Sequence, residues 1–308
     1  MFQAFELGPF IFWTRLAFVL AGLWLSMEFF LRIAHSANLS LQHFREHGLR
    51  YVLAFLLCGR GLAVLQEYRV YLKDPLRIFV VWDGGFSFLG GAIGIGIVLF
   101  FVTREHRSTF LQWLDALVPA TTFGLVFEWL GAFFSGNAYG RPADVFWAVT
   151  YVDAMNVRYA VPIHPVQLYY ALFSFFLTFL LLVVRKKAKR VGTETLAGIV
   201  LLAIGTYGFE YFRGDFGIPV FATKIDFILL LGLFLSLGTF AAFGSKLSKR
   251  VVIGYESALL LIAAGYVFLR PFLDLDTYEL RFSQLLAVLS LLAAVVYVVD
   301  HRRRYPYL

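Results

Sequence analysis

Cysteine and charge are both scarce in this chain of 308 residues. Its single cysteine, Cys58, excludes an internal disulfide and a cysteine metal cluster. Only 15% of the residues are charged, compared with roughly 25% in an average soluble domain, which excludes an ordinary soluble protein. The chain also lacks a glycine-rich loop ending in Lys-Ser or Lys-Thr, and no internal repeat is obvious. These absences argue against a nucleotide-binding enzyme and against a repeat protein.

Apolar residues dominate what remains. They make up 60% of the chain, and the mean hydropathy is +0.75. Because a membrane-spanning helix needs about 20 apolar residues, the sequence predicts an all-α fold, a polytopic membrane helix bundle of about nine transmembrane helices. The predicted spans lie near residues 9–31, 50–67, 84–102, 112–134, 165–184, 194–212, 225–243, 251–269 and 282–299.

Basic residues alternate between the two sets of loops. One set holds sixteen Lys and Arg and the other nine, and the richer set is expected in the cytoplasm. This places the N-terminus outside and the C-terminus inside. The only charge in residues 1–9 is Glu6, whereas a cleavable signal peptide begins with positive charge. The net charge of +7 is thus explained by topology, and we expect no nucleic-acid partner.

The longest segment on the predicted outer side reads as a small structured cap. It covers about residues 135–164 and combines glycines and prolines with Trp147 and Tyr151. The sequence predicts a membrane domain over residues 1–243, which includes this cap, and a two-helix membrane extension over residues 244–308. We can assign no function to the extension.

Several polar motifs lie in or beside the apolar spans, toward the predicted outer face. An Arg or Glu at bilayer depth costs roughly 2.5–3.5 kcal/mol and is usually functional. Three arginines on one face indicate an anion, and the nearest anion in a membrane is a phospholipid head group. The motifs are Cys58-Gly59-Arg60, Trp82-Asp83-Gly84-Gly85, Gly140-Arg141-Pro142, His164-Pro165-Val166-Gln167-Leu168-Tyr169 and Glu210-Tyr211-Phe212-Arg213.

These motifs, together with Gly8-Pro9-Phe10, resemble in kind and order those of the prolipoprotein diacylglyceryl transferase family, over roughly residues 8–243. The resemblance implies a transferase of lipoprotein maturation in a bacterial-type plasma (inner) membrane. It would move a diacylglyceryl group from phosphatidylglycerol to a lipoprotein cysteine, forming a thioether and releasing glycerol phosphate. The implied partners are phosphatidylglycerol or another anionic phospholipid and the signal peptide of a lipoprotein precursor, and no cofactor is expected.

The chain departs from the motifs of the family at six positions. The family carries Tyr, His, Arg, Asn, Glu and Glu at the positions that are here, in order, Thr14, Leu89, Trp129, Ala132, Asn137 and Tyr170. The chain therefore keeps the motifs that mark the scaffold of the family, while several polar residues of those motifs are replaced.

Three residues are predicted to be catalytic. Arg213 and Arg141 are expected to hold the phosphate, because Arg forms two parallel charge-assisted bonds with it. The alternative for Arg213 is an interfacial arginine whose side chain extends to water. The alternative for Arg141 is a solvated loop cation. With Leu89 in place of the histidine of the family, His164 is the expected base, since histidine titrates near neutral pH. Its alternative role is a hydrogen-bonded cap of the fifth predicted span.

The predicted substrate-binding residues surround these three. Glu210 shares a helix face with Arg213 and is expected to orient it, while Gln167 shares a face with His164 and Tyr169 points elsewhere. Arg60 either pairs with Glu128 or contacts the ligand, and Asp83 either contacts it or caps the third span. The set is Arg60, Asp83, Trp129, Asn137, Gln167, Tyr169 and Glu210.

Two other functions remain open at this point. The replaced motif residues favour a non-catalytic protein that binds lipid or lipoprotein on the same scaffold. A small-solute transporter has less support, since no pair of broken helices is visible.

The histidines lack the spacing of metal ligands, so no metal is expected.

Overall fold

The computed structural model describes residues 4–7, 10–79, 86–103, 107–151, 157–188, 190–215, 219–243, 247–273 and 275–304. The chain divides into two compact units, Met1–Ile218 and Pro219–Leu308. Each unit is built from apolar helices, and each also contains one short two-stranded antiparallel pairing.

Unit 1 begins with a strand pair, β1 (Ala4–Leu7) and β2 (Phe10–Trp13). Its helices are α1 (Thr14–Ser36), α2 (Gln42–Gln66), α3 (Tyr68–Lys73), α4 (Phe88–Val102), α5 (Arg107–Ser135), α6 (Val166–Lys187) and α7 (Thr193–Phe209). Short 3-10 helices cover Pro75–Phe79 and Glu210–Phe212.

The predicted membrane helix bundle is confirmed. In the described part of the chain, eight helices are long and apolar enough to cross a membrane. The predicted span 84–102 corresponds to α4, an apolar helix of only 15 residues. The first predicted span starts too early: Phe10–Trp13 is a strand, and helix begins at Thr14. Apolar and aromatic runs suit strands as well as helices, so periodicity alone does not separate the two.

Helix α5 is the centre of unit 1. It packs against α1, α4, α6 and α7, and half of its most apolar window is buried, compared with 22% for α1. Trp113 of α5 is almost fully buried and lies against the rings of Phe30 and Phe44. On the other side of the unit, α2 and α4 approach closely at Gly94, where a Cβ atom would lie 2.3 Å from the carbonyl oxygen of Ala54. Glycine at this position therefore allows the two helices to pack closely.

A small cap follows α5. Tyr139, Tyr151 and Ile163 form its buried cluster, and Ile163 makes isolated β-bridges to Pro142 and Val149. The Tyr151 hydroxyl donates to the carbonyl oxygen of Phe133 at 2.9 Å. Burial raises the pKa of Tyr151, so the hydroxyl keeps the proton that it donates. The segment is thus ordered by its own core.

Unit 2 contains β3 (Pro219–Thr223), α8 (Lys224–Phe243), α9 (Lys249–Leu269), β4 (Thr277–Arg281) and α10 (Phe282–Arg304). The two strands pair antiparallel. The carboxylate of Asp226 in α8 accepts from Arg270 at 3.1 and 3.2 Å and from the Tyr266 hydroxyl. Helix α8, which the sequence analysis assigned to the 1–243 domain, packs within this second unit. The boundary at residue 243 was drawn from resemblance rather than packing, and it stays a prediction.

Candidate active site

Three of the predicted motifs meet through main-chain hydrogen bonds. The N–H of Arg141 donates to the carbonyl oxygen of Phe212 at 2.8 Å, and the N–H of His164 donates to that of Arg141 at 3.0 Å. Gly214 donates to the carbonyl oxygen of Tyr139 at 2.8 Å. We call this region the junction, defined by residues 139–142, 163–164 and 212–215.

Close backbone packing at the junction requires glycine. A Cβ atom at Gly140 would lie 2.1 Å from the carbonyl oxygen of His164, and one at Gly214 would lie 2.4 Å from that of Gly140. Side-chain rotation cannot relieve either clash, because the contacted atoms belong to the main chain. The two glycines therefore set the spacing of the three segments.

Gly140→Ala is expected to lower the free energy of unfolding by about 3 kcal/mol, because the added methyl group must separate two segments of backbone. Thermal denaturation of the detergent-solubilised protein measures this loss. Gly208→Ala is the matched control, since its Cβ would meet nothing within 4 Å, and it should be neutral or slightly stabilising. Equal melting temperatures for the two variants would contradict the packing argument.

Arg213 is clamped by two carboxylates. Its Nη1 donates to Glu210 Oε1 at 2.8 Å, while Nε and Nη2 donate to the two oxygens of Asp215 at 3.0 and 2.5 Å. The side chains of Arg213 and Glu210 are only 19% and 2% exposed. The three groups carry a combined formal charge of −1, so a phosphate would have to compete with two carboxylates for this guanidinium. Sequence reasoning missed Asp215, although it stands only two residues from Arg213.

Arg141 presents a different environment. Its side chain is exposed, and its Nε donates to the carbonyl oxygen of Arg213 at 3.1 Å. In the described part of the chain it forms no ion pair. Its charge is consequently not offset, as anion binding requires.

His164 is held by a side chain that the sequence analysis placed elsewhere. Its Nδ1 lies 3.0 Å from the hydroxyl oxygen of Tyr169, which also accepts from the indole N–H of Trp147 at 2.6 Å. The expectation that Tyr169 points away from His164 is therefore wrong. Helix α6 begins only at Val166, so helical spacing does not apply to His164, and the tyrosine is long enough to reach back.

Gln167 and Asn137 form hydrogen bonds between the start of α6 and the end of α5. Gln167 is fully buried, and its Nε2 donates to the main-chain oxygen of Asn137 at 2.7 Å. The amide of Asn137 donates to the Ser135 hydroxyl at 2.9 Å. These contacts join the start of α6 to the end of α5 beneath the junction.

Two positions that differ from the motifs of the family touch one another. The rings of Trp129 and Tyr170 are stacked, with centroids 4.0 Å apart and planes 6° from parallel. The Tyr170 hydroxyl lies 3.1 Å from Glu210 Oε1, the atom that also accepts from Arg213. Trp129 also packs with Leu89 against one apolar cluster. Three of the six replaced positions, Leu89, Trp129 and Tyr170, thus lie in one aromatic and apolar group next to Glu210.

The contacts of Arg60 lie outside the junction. It donates to the carbonyl oxygens of Ile78 and Arg77 at 3.0 and 2.5 Å and lies 5.2 Å from the centre of the Tyr71 ring. Its suggested partner, Glu128, accepts from the main-chain N–H of Phe88 at 3.4 Å, and the ion pairs of the described residues do not include the two together. This arginine therefore fixes the turn after α3.

The remaining predicted residue, Asp83, lies outside the described residues. Among those that are described, no three His, Cys, Asp or Glu side chains come together in a way that could hold a metal ion.

Long apolar helices, with a polar junction next to the ends of α5, α6 and α7, define a multi-pass membrane protein. The sequence profile of the prolipoprotein diacylglyceryl transferase family matches residues 3–299, and the chain belongs to this family. It is a multi-pass protein of the bacterial inner membrane. The match extends well past residue 243, so the expected end of the resemblance was wrong.

Curated relatives agree with the family. The phosphatidylglycerol–prolipoprotein diacylglyceryl transferase of Polynucleobacter necessarius subsp. necessarius is 36% identical over 192 residues, which is 61% of this chain and 67% of the relative. That of Azospirillum brasilense is 36% identical over 221 residues, or 68% and 80% of the two chains. The enzyme of that name from Idiomarina loihiensis is 31% identical over 210 residues, or 67% and 77%.

Proposed function

We propose that this protein moves a diacylglyceryl group from phosphatidylglycerol, or a similar anionic phospholipid, to the cysteine of a lipoprotein precursor. Membership of the prolipoprotein diacylglyceryl transferase family carries this proposal. The sulfur would attack the glyceryl carbon, and glycerol phosphate would leave as the carbon–oxygen bond breaks. The reaction needs a cation for the phosphate, a base for the thiol and access from the bilayer.

The junction supplies candidates for the first two needs. Arg141 is exposed and forms no ion pair among the described residues, so we assign it the main contact with the phosphate. Arg213 would offer the phosphate a second guanidinium contact, in competition with the two carboxylates that hold it in place. His164 is assigned as the base, and Asn137 would add neutral hydrogen bonds. Arg60, Asp83 and Trp129 stay predicted substrate contacts.

Arg141→Gln is expected to lower the transfer rate about 10- to 100-fold, because a hydrogen bond to a charged group contributes about 1.5–3 kcal/mol. The rate is measured as adduct formed per minute at limiting phosphatidylglycerol. Arg158→Gln, at another exposed arginine of the cap, is the control and should stay within about twofold of the original protein. Equal rates for both variants would remove Arg141 from the site.

The transfer itself is tested with purified protein, phosphatidylglycerol vesicles and a cysteine peptide based on a lipoprotein signal sequence. Mass spectrometry should find the peptide with one diacylglyceryl group added. The alternative is a non-catalytic protein that binds lipid or lipoprotein, and the named relatives do not favour it. Lipid that co-purifies without any adduct would support that alternative and contradict the transferase.

The proposed orientation puts the N-terminus and the cap outside and the C-terminus in the cytoplasm, as the loop charges indicate. In a Cys58→Ser background, a membrane-impermeant maleimide should label Arg158→Cys in intact cells. It should label Ser248→Cys only after the cells are opened. The reverse labelling pattern would invert the topology.

A further inference from the structure

A chain of side-chain hydrogen bonds crosses from the cap to the start of α6. The Trp147 indole N–H donates to the Tyr169 hydroxyl oxygen at 2.6 Å, and that oxygen lies 3.0 Å from Nδ1 of His164. Because an indole only donates, Tyr169 must be the acceptor in the first bond. The direction of the first bond is therefore fixed without locating any hydrogen atom.

The first bond influences the second. A hydroxyl group that already accepts one strong hydrogen bond becomes a better donor for the next, because bonds in a chain polarise one another. In the tautomer of His164 whose Nδ1 carries no proton, the phenolic proton of Tyr169 is thus best placed on the line to Nδ1. This leaves Tyr169 as a hydroxyl that can pass its proton to the histidine while it receives another.

The His164 end of the chain is held in place. The main-chain N–H of His164 bonds to Arg141, and its carbonyl oxygen packs on Gly140. The Phe212 ring lies 5.1 Å from the imidazole ring at an angle of 69°. Trp147, by contrast, is 47% exposed in the cap, so the chain connects a surface side chain to a fixed imidazole.

We propose that Tyr169 receives the proton of the acceptor thiol and hands its own proton to His164, with Trp147 as the positioning residue. This relay rests on the proposed function. The S–H proton moves to the Tyr169 oxygen as the phenolic proton moves to Nδ1, giving an imidazolium. The sulfur electron pair forms the bond to the glyceryl carbon, and the broken carbon–oxygen bond leaves its electrons on the phosphate. His164 then returns the proton to the glycerol phosphate or to water.

The test compares a cysteine acceptor peptide with its selenocysteine counterpart. A selenol is ionised at neutral pH and needs no base, whereas a cysteine thiol is largely protonated. With the cysteine peptide, Tyr169→Phe and His164→Gln should each lower the rate about 100-fold or more. Trp147→Phe should lower it about tenfold through the lost hydrogen bond. With the selenocysteine peptide, all three losses should shrink by at least about tenfold.

Controls separate proton transfer from other defects. The loss in Arg141→Gln should be the same with both peptides, since phosphate binding does not depend on the acceptor. Tyr159→Phe and Phe146→Leu, both in the cap, should match the original protein. Full activity of Tyr169→Phe with cysteine, or a loss that persists with selenocysteine, would overturn the relay alone. If the original protein forms no adduct with either peptide, the proposed function fails and the relay fails with it.

Discussion

Arg213→Gln is expected to give the largest loss of stability of any single change at the junction, about 3–5 kcal/mol, together with loss of transfer activity. The substitution leaves Glu210 and Asp215 without their shared cation, and the formal charge of the group falls from −1 to −2. Glu210 is 2% exposed, so water cannot replace the lost partner. Denaturation of the purified protein in detergent measures the loss.

Companion variants identify the cause. Adding Asp215→Asn to Arg213→Gln removes one of the uncompensated charges and should restore about 1–3 kcal/mol. Arg213→Lys keeps the charge but loses the paired bonds to Asp215. Its stability should therefore lie between that of the original protein and that of Arg213→Gln. If Arg213→Gln were as stable as the original protein, the two carboxylates would not depend on this arginine.

Tyr170→Glu is expected to cost about 3–5 kcal/mol, because it brings a second carboxyl group against buried Glu210. The family carries Glu at this position and Arg at the position of Trp129. Since the two aromatic rings stack at 4.0 Å, we expect the two replacements to be coupled. Adding Trp129→Arg should therefore return about 1–3 kcal/mol, although Trp129→Arg alone is destabilising.

A double-mutant cycle measures this coupling. The four proteins are the original, each single variant and the pair, all compared by denaturation under one condition. Tyr170→Phe is the conservative control, since it keeps the stacked ring and loses the hydroxyl contacts to Glu210 and to the carbonyl oxygen of Thr206. Additive losses in the cycle would show that positions 129 and 170 are not energetically coupled.

The architecture was predictable from sequence because apolar length is a strong signal. Runs of about 20 apolar residues predicted the long helices, and Gly140 with Arg141 and Glu210 with Arg213 marked segments that the fold brings together. The glycines were informative for a physical reason: Gly140 stands where main chain packs directly on main chain.

Side-chain partners were harder to predict, because they depend on how separate segments meet. Trp147 belongs to no motif, and only the fold brings it to Tyr169. Asp215 lies two residues beyond the motif that ends at Arg213, and it was missed because it is not part of that motif. Arg60 resembled a ligand contact or an ion-pair partner, yet it donates to main-chain oxygens of a turn that periodicity did not predict. The strand at Phe10–Trp13 was read as helix because both structures accept the same apolar residues.

Cryo-electron microscopy of the protein in nanodiscs containing phosphatidylglycerol tests the central claim most directly, namely that the junction holds the phosphate of the lipid donor. We predict head-group density within hydrogen-bonding distance of Arg141, with the glyceryl carbon facing Tyr169 and His164. The Arg141→Gln protein should lose this density under the same conditions. Ordered head groups found only elsewhere on the protein, with the junction filled by solvent, would contradict the account.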